Sequence, residues 1–169
     1  MKALLRMMAT ALLVVISVNT TAQDYNTGIG IRFGGLTSGL TIKHFVNSNA
    51  ALEGIVSFAP RSLHLTGLYE WHKPIANAKG LMWFYGVGGH VGFFSYGGHY
   101  YVYKHKGNNV YVEEQGARAT VVGADFIIGL DYKFNNAPIN LSLDLKPFIN
   151  FWGGPYAYWD GALSARFVF

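Results

Sequence analysis

The sequence predicts an all-β protein, an eight-stranded antiparallel up-and-down transmembrane β-barrel. Three observations carry that prediction. From Ala157 to Phe169, reading AYWDGALSARFVF, residue character alternates with a period of two, the period of a strand and not of a helix. Phe169, Phe167, Ala165, Leu163 and Trp159 share a larger, apolar face, while Arg166, Ser164, Asp160 and Tyr158 share the other. One face suits lipid and the opposite face suits a polar lumen. Segments of this kind recur eight times between turn-forming residues. Aromatic residues make up 16% of the chain and Gly numbers 21, a pairing that suits interfacial girdles and tightly curved strands.

The chain has 169 residues, a length for one domain. Met1 to Ala22 places Lys2 and Arg6 before the apolar run Ala9 to Val18, followed by the small polar stretch Asn19-Thr20-Thr21-Ala22. This is the pattern of a secretory signal peptide over 1–22, with Thr20 and Ala22 at the cleavage positions and the barrel domain over 23–169. The apolar run is shorter than the roughly 17 to 25 residues a spanning helix needs. Cleavage takes two cations from the formal charge of +4, leaving +2. With no run of Lys or Arg, nucleic acid is not an expected partner. The chain has no Cys, so the fold does not depend on disulfides.

The first segment, Asn26 to Phe33, sets Ile29, Ile31 and Phe33 against Gly28, Gly30 and Arg32, and Gly34-Gly35 ends it. The second, Thr37 to Val46, sets Leu40 and Ile42 against Thr41 and Lys43, then breaks at the turn-prone Asn47-Ser48-Asn49. In the third, Ala51 to Ala59, Leu52, Val56 and Phe58 oppose Glu53 and Ser57, and Pro60 terminates the run. The fourth, Ser62 to His72, alternates Leu63, Leu65, Tyr69 and Trp71 with His64, Thr66, Glu70 and His72. Lys73-Pro74 is read as its stop, because Pro cannot donate to the ladder. The fifth, Leu81 to Ser95, carries Trp83, Tyr85, Val87, Val91 and Phe93 on one parity and Phe84, His90 and several Gly on the other. The sixth, Ala119 to Phe134, sets Phe126, Ile128, Leu130 and Tyr132 against Asp125, Asp131 and Lys133. The seventh, Pro138 to Asn150, alternates Ile139, Leu141, Leu143 and Leu145 with Asn140, Ser142, Asp144 and Lys146. The eighth is the closing segment described first.

Eight such segments, closing on the aromatics Phe167 and Phe169, resemble the small outer-membrane β-barrel family of the OmpA/OmpX-like sort. The resemblance implies a cell outer-membrane location after export, with outer-membrane lipid and the barrel assembly machinery as partners. In that family the final strand ends in Phe and is the signal the machinery reads, a role that falls here on Phe167 and Phe169. It also implies that the termini and the short turns at 47–49, 74–80 and 135–137 face the periplasm. The loops near Gly34, near Pro60, at 96–118 and at 152–156 then face outward, with the one long loop among them.

The inner parity collects Arg32, Lys43, Lys133, Lys146 and Arg166 as cations with Glu53, Glu70, Asp125, Asp131, Asp144 and Asp160 as anions. An eight-stranded lumen is filled by its own side chains, so these charges are expected to pair with one another rather than to line an ion path. Bulky Phe45, Phe84 and Phe148 share that face. His64, His72 and His90 fall on it too, and packing is their plainer reading beside a metal or hydrolytic one. Some family members are lipid A deacylases or palmitoyltransferases. The deacylase type uses a His-x-Ser-Asn-Ala stretch, whereas Ser48-Asn49-Ala50 here is preceded by Val46 and lies in a short turn. No catalytic residue, metal ligand or cofactor is expected. In the long loop, Tyr100, Tyr101, Tyr103 and Tyr111 flank Lys106-Gly107-Asn108-Asn109, which reads as a hairpin continuing strands five and six outward, Lys104 and Lys106 near Glu113 and Glu114. A solvated extension is its bland reading, and an adhesive edge able to meet a surface ligand is its functional one. The expected function is structural, adhesive or interactive, with a lipid A-modifying enzyme and a small pore as the alternatives.

Overall fold

Period-two alternation produces strands wherever the sequence carries it. The computed structural model describes residues 26–59, 61–95, 100–105, 108–113, 118–152 and 157–169, and the backbone alone within 100–118. The expected signal segment lies outside the described residues. Eight strands make the barrel: β1 (Thr27–Gly34), β2 (Ser38–Asn47), β3 (Ala50–Ala59), β4 (Ser62–Pro74), β5 (Leu81–Ser95), β8 (Arg118–Lys133), β9 (Ile139–Trp152) and β10 (Ala157–Val168). Two more, β6 (Tyr100–His105) and β7 (Asn108–Glu113), form a hairpin between β5 and β8.

The barrel order is β1-β10-β9-β8-β5-β4-β3-β2, all antiparallel and closed. This is the up-and-down transmembrane barrel fold that the alternation predicts. Closure is made by β1 against β10, with Ile29 opposite Phe167 and Ile31 opposite Ala165. The Phe169 N–H donates to the Thr27 carbonyl (2.9 Å), and the Phe169 carbonyl accepts from the N–H groups of Asn26 (3.2 Å) and Thr27 (3.0 Å). No barrel strand keeps a free edge, which removes the aggregation hazard of an open sheet.

Three details differ from the sequence reading. β4 runs on through Pro74, opposite Met82, because a proline at the last rung removes no donor that the ladder needs. Register shifts fall between Phe45 and Asn47 in β2 and between Val122 and Gly123 in β8, irregularities that bend a strand locally. The hairpin pairs as a sheet separate from the barrel, and its junctions with β5 and β8 lie outside the described residues. The last described β5–β8 pair is Ser95 opposite Arg118, and β6 and β7 form a sheet of their own. Within it Lys104 faces Asn109 and Glu113 faces Tyr100, so Lys104 and Glu113 lie at opposite ends of the hairpin and not beside each other. Lys106 and Glu114 lie outside the described residues.

Burial follows parity. The outward side chains form an exposed apolar band that includes Leu143, Leu145, Ile128 and Leu163. Aromatic residues ring both ends of that band. At the end of the short turns, Trp71 stacks on Tyr85 (5.5 Å) and Tyr85 on Trp83 (5.3 Å), with Phe167 and Phe169 at the same end on the closing strand, several strands away. At the opposite end Phe33, Phe58, Phe93, Phe151 and Trp159 are exposed. Trp159 and Phe169 are ten residues apart on one face, which in a tilted strand is a height of about 25 Å, the height of a membrane barrel's apolar band.

The inward face is buried and crowded, and glycine makes room. Phe84 stands opposite Gly129, and a Cβ on Gly129 would meet the Phe84 ring at 2.7 Å. His90 stands opposite Gly123 in the same way, with its ring 2.5 Å from where a Cβ would sit. Large lumen side chains therefore lie over glycines of the adjacent strand.

Candidate functional site

The lumen is where the chain's ionisable chemistry converges. Lys43 on β2 lies at its centre, fully buried, with its Nζ 2.7 Å from Glu70, 3.3 Å from Glu53 and 3.6 Å from Asp131. It also lies over the Phe84 ring, 4.3 Å from the centroid. Arg166 on β10 pairs with Glu53 and donates to Ser142 (2.8 Å), Asn140 (3.1 Å) and Thr41 (3.3 Å). Thr41 donates to Glu53, and Asn140 donates to Asp131, which ties the two cations into one network across β2, β3, β8, β9 and β10. His72 extends it, with its Nε2 3.0 Å from Glu70.

Two further groups lie nearer the loop end. Arg32 pairs with Asp144 at 2.5 Å. Lys146 pairs with Asp125 at 2.6 Å, and His90 lies between Asp125 (2.7 Å) and the Asn150 side-chain oxygen (2.9 Å). The Lys146 ammonium is 4.8 Å from the Phe148 ring centroid, and Phe148 meets His90 edge-on.

Of the eleven inner-face charges read from the sequence, Lys133 and Asp160 do not take part in ion pairs among the described residues. Lys133 is at the last rung of β8, where its Nζ reaches the carbonyls of Phe134 (2.6 Å) and Ala137 (2.9 Å) and so fastens the β8–β9 turn. Asp160 is buried at the loop end, where it accepts from the Leu36 N–H (2.9 Å) and the Thr37 hydroxyl (3.1 Å) and holds the β1–β2 connection. Lys133 is at the end of β8, and Asp160 lies past the last β1–β10 pair, Gly34 opposite Ala162, so in both places backbone groups that have left a ladder compete for a charged side chain.

Sequence reasoning missed an apolar wall. Ile55, Leu68 and Ile127 are buried in one apolar cluster with Phe84, on β3, β4, β5 and β8, and that cluster adjoins the ionic network, with Leu68 directly opposite Glu53. The signal was present, because each lies two residues from an inward residue already identified: Ile55 from Glu53, Leu68 from Glu70, and Ile127 from Asp125. The three histidines do not converge. His64 and His90 rings are 6.5 Å apart, and His72 packs instead between Phe45 (4.8 Å) and Phe84 (5.1 Å). Among the described residues no group of three or more His, Asp or Glu side chains is arranged to hold a metal ion. The side chains of Tyr100, Tyr101, Tyr103 and Tyr111 lie outside the described residues.

No protein-family model matches the chain, and no curated protein matches its sequence. Among solved structures, the crystal structure of Neisserial surface protein A (NspA) is similar, with a TM-score of 0.53 at 8% identity. The match covers 85% of this chain and 94% of that one. At so low an identity the likeness establishes the barrel fold. The lumen network of this chain is therefore argued from its own residues.

Proposed function

We propose that the chain is an outer-membrane barrel with a structural or surface-interaction role, shut to ion flow by its own lumen side chains. The observation that carries this reading is the pairing of a lipid-type outer band with a lumen occupied by the Lys43–Glu53–Arg166 network and the Phe84 wall. A barrel built to conduct needs a continuous wet path, and paired charges with packed hydrocarbon provide none. The short-turn end faces the periplasm in this reading, and hairpin β6–β7 faces outward as the element available to a surface ligand. Its backbone edges offer strand pairing to another chain. NspA is by name a surface protein, which agrees with that placement. Phe167 and Phe169, paired into the closing seam, are the residues the barrel assembly machinery would read. Fractionation followed by gel migration with and without heating tests the whole reading. The protein should be in the outer membrane and migrate anomalously until heated, and recovery from the soluble fraction would refute it.

We further propose that the barrel is not a lipid A-modifying enzyme. His72 and His90 are engaged by Glu70 and by Asp125 with Asn150, inside the lumen and away from the lipid-facing surface where an acyl chain would lie. Purified barrel in bilayers containing lipid A should leave its acyl chains unchanged by mass spectrometry. An acyl change abolished by His90→Ala would assign the activity to this chain instead.

A further inference from the structure

Among the described residues, the short-turn end of the barrel is not filled. A cavity of about 950 Å³ opens there, bounded by the start of β1 and by the β2–β3, β4–β5 and β8–β9 turns. Its charge is one-sided: Lys79 and Lys133 line it, and no Asp or Glu does among the described residues. Phe45, Ile75 and Met82 add apolar wall, and Phe45 backs onto His72 at the margin of the lumen network.

The cations are held differently. Lys133 spends two donors on the carbonyls of Phe134 and Ala137, and an ammonium has three. Lys79 has no ion pair among the described residues and is carried on a tightly built turn. In that turn Ala78 N–H donates to the Ile75 carbonyl (3.2 Å), Leu81 N–H to Ala78 (3.0 Å), and Ile75 N–H to Leu81 (3.0 Å). The turn is fastened to β8 by the Lys133 N–H on the Gly80 carbonyl (2.8 Å), with Asn77 and Gly80 both at positive φ. A lysine presented from a fastened turn is a preorganised partner for an anion.

We propose that this vestibule binds a single-chain amphiphile with an anionic head, a fatty acid or a lysophospholipid. The head would lie between Lys79 and Lys133 and the chain against Phe45, Ile75 and Met82. A small inorganic anion would use the lysines and leave the apolar wall in water. A neutral amphiphile would use the wall and leave the lysines unanswered. The volume falls within the roughly 300 to 1,000 Å³ of small-ligand sites, which excludes a folded partner. The stacked Trp71, Tyr85 and Trp83 lie on the outer surface of the strands that flank the same turn, so a single-chain lipid in the leaflet has a short route to the opening. The site is independent of what the hairpin at the other end contacts.

The test is native mass spectrometry of the whole folded barrel released from neutral detergent. The probes are palmitate, palmitoyl lysophosphatidylglycerol, palmitoyl lysophosphatidylcholine and inorganic phosphate. Palmitate and the anionic lysolipid should each be retained at one per barrel, and the zwitterionic lysolipid about tenfold less. The retention of one anionic probe above the other identifies the preferred head. Lys79→Gln, which removes no bond that holds the barrel, should lower retention of both anionic probes severalfold while heat-dependent gel migration is unchanged. A photoreactive palmitate should label the segment 75–82. Equal retention of the zwitterionic lysolipid, full competition by inorganic phosphate, or unchanged retention by Lys79→Gln would each overturn the proposal.

Discussion

Arg166 and Glu53 are nearly inaccessible to solvent, so neither charge can be answered by water if its partner is removed. Arg166→Ala leaves Glu53 with Lys43 and the Thr41 hydroxyl, and it also leaves Ser142 and Asn140 without a donor they now accept from. Removing one partner of a buried pair typically costs about 3 to 5 kcal/mol. Urea unfolding of the refolded barrel in neutral bilayers should show a loss of that size for Arg166→Ala. Arg166→Met combined with Glu53→Gln should recover much of it, because the double change leaves no uncompensated charge. A double variant no more stable than Arg166→Ala would show that the two residues act independently. At this scale the sequence told much: parity alone placed both residues on the inner face. It could not tell which acid Arg166 meets, because β10 comes near β2 and β3 only when β1 closes onto β10, which sets Gly30 of β1 between Arg166 and Thr41. Lys133 and Asp160 depart from the expected ion pairing for a related reason, since parity says which way a side chain points and not whether a nearby turn will take it first.

Strands were legible in the chain because each spends its length with one face in an apolar setting and the other in a polar one. A register slip of one residue would exchange the two faces, so pattern and register specify each other. Element ends were less legible. The β4 boundary at Pro74 turned on whether a donor was needed at one rung, which the residue type does not reveal. The hairpin was legible as a hairpin from its two β-prone runs, and its pairing as a sheet separate from the barrel was not, because nothing in residue type distinguishes one long ladder from two. The closing strand carries the prediction that belongs to this scale. Phe169 is about one-third exposed in the aromatic ring at the short-turn end, and its backbone completes the β1–β10 seam. Phe169→Asp keeps the backbone bonds but sets a carboxylate among Phe167 and the lipid-facing band. Export should be intact while the amount of heat-modifiable barrel in the outer membrane falls severely. Normal quantities of inserted barrel from this variant would refute the role assigned to Phe169.

For the molecule as a whole the question is whether the lumen conducts. A hydrocarbon cluster of Ile55, Leu68, Phe84 and Ile127 adjoins an ionic network centred on Lys43, and the two meet where the Lys43 ammonium lies over the Phe84 ring. Water entering that junction would have to displace contacts on both sides. Planar-bilayer recording of the unmodified barrel should therefore show no steady channel. Lys43→Ala breaks the junction from the ionic side. Glu53 keeps Arg166 and Asp131 keeps Asn140, but Glu70 loses its closest cation, so the cross-section gains space and net negative charge together. The variant should show brief openings, and they should prefer cations, because a one-sign field in a narrow, low-dielectric space concentrates the opposite ion. Steady conductance from the unmodified barrel would refute the closed lumen. Anion-preferring openings in Lys43→Ala would refute the assignment of Glu70, Glu53 and Asp131 as the acids that Lys43 holds in place.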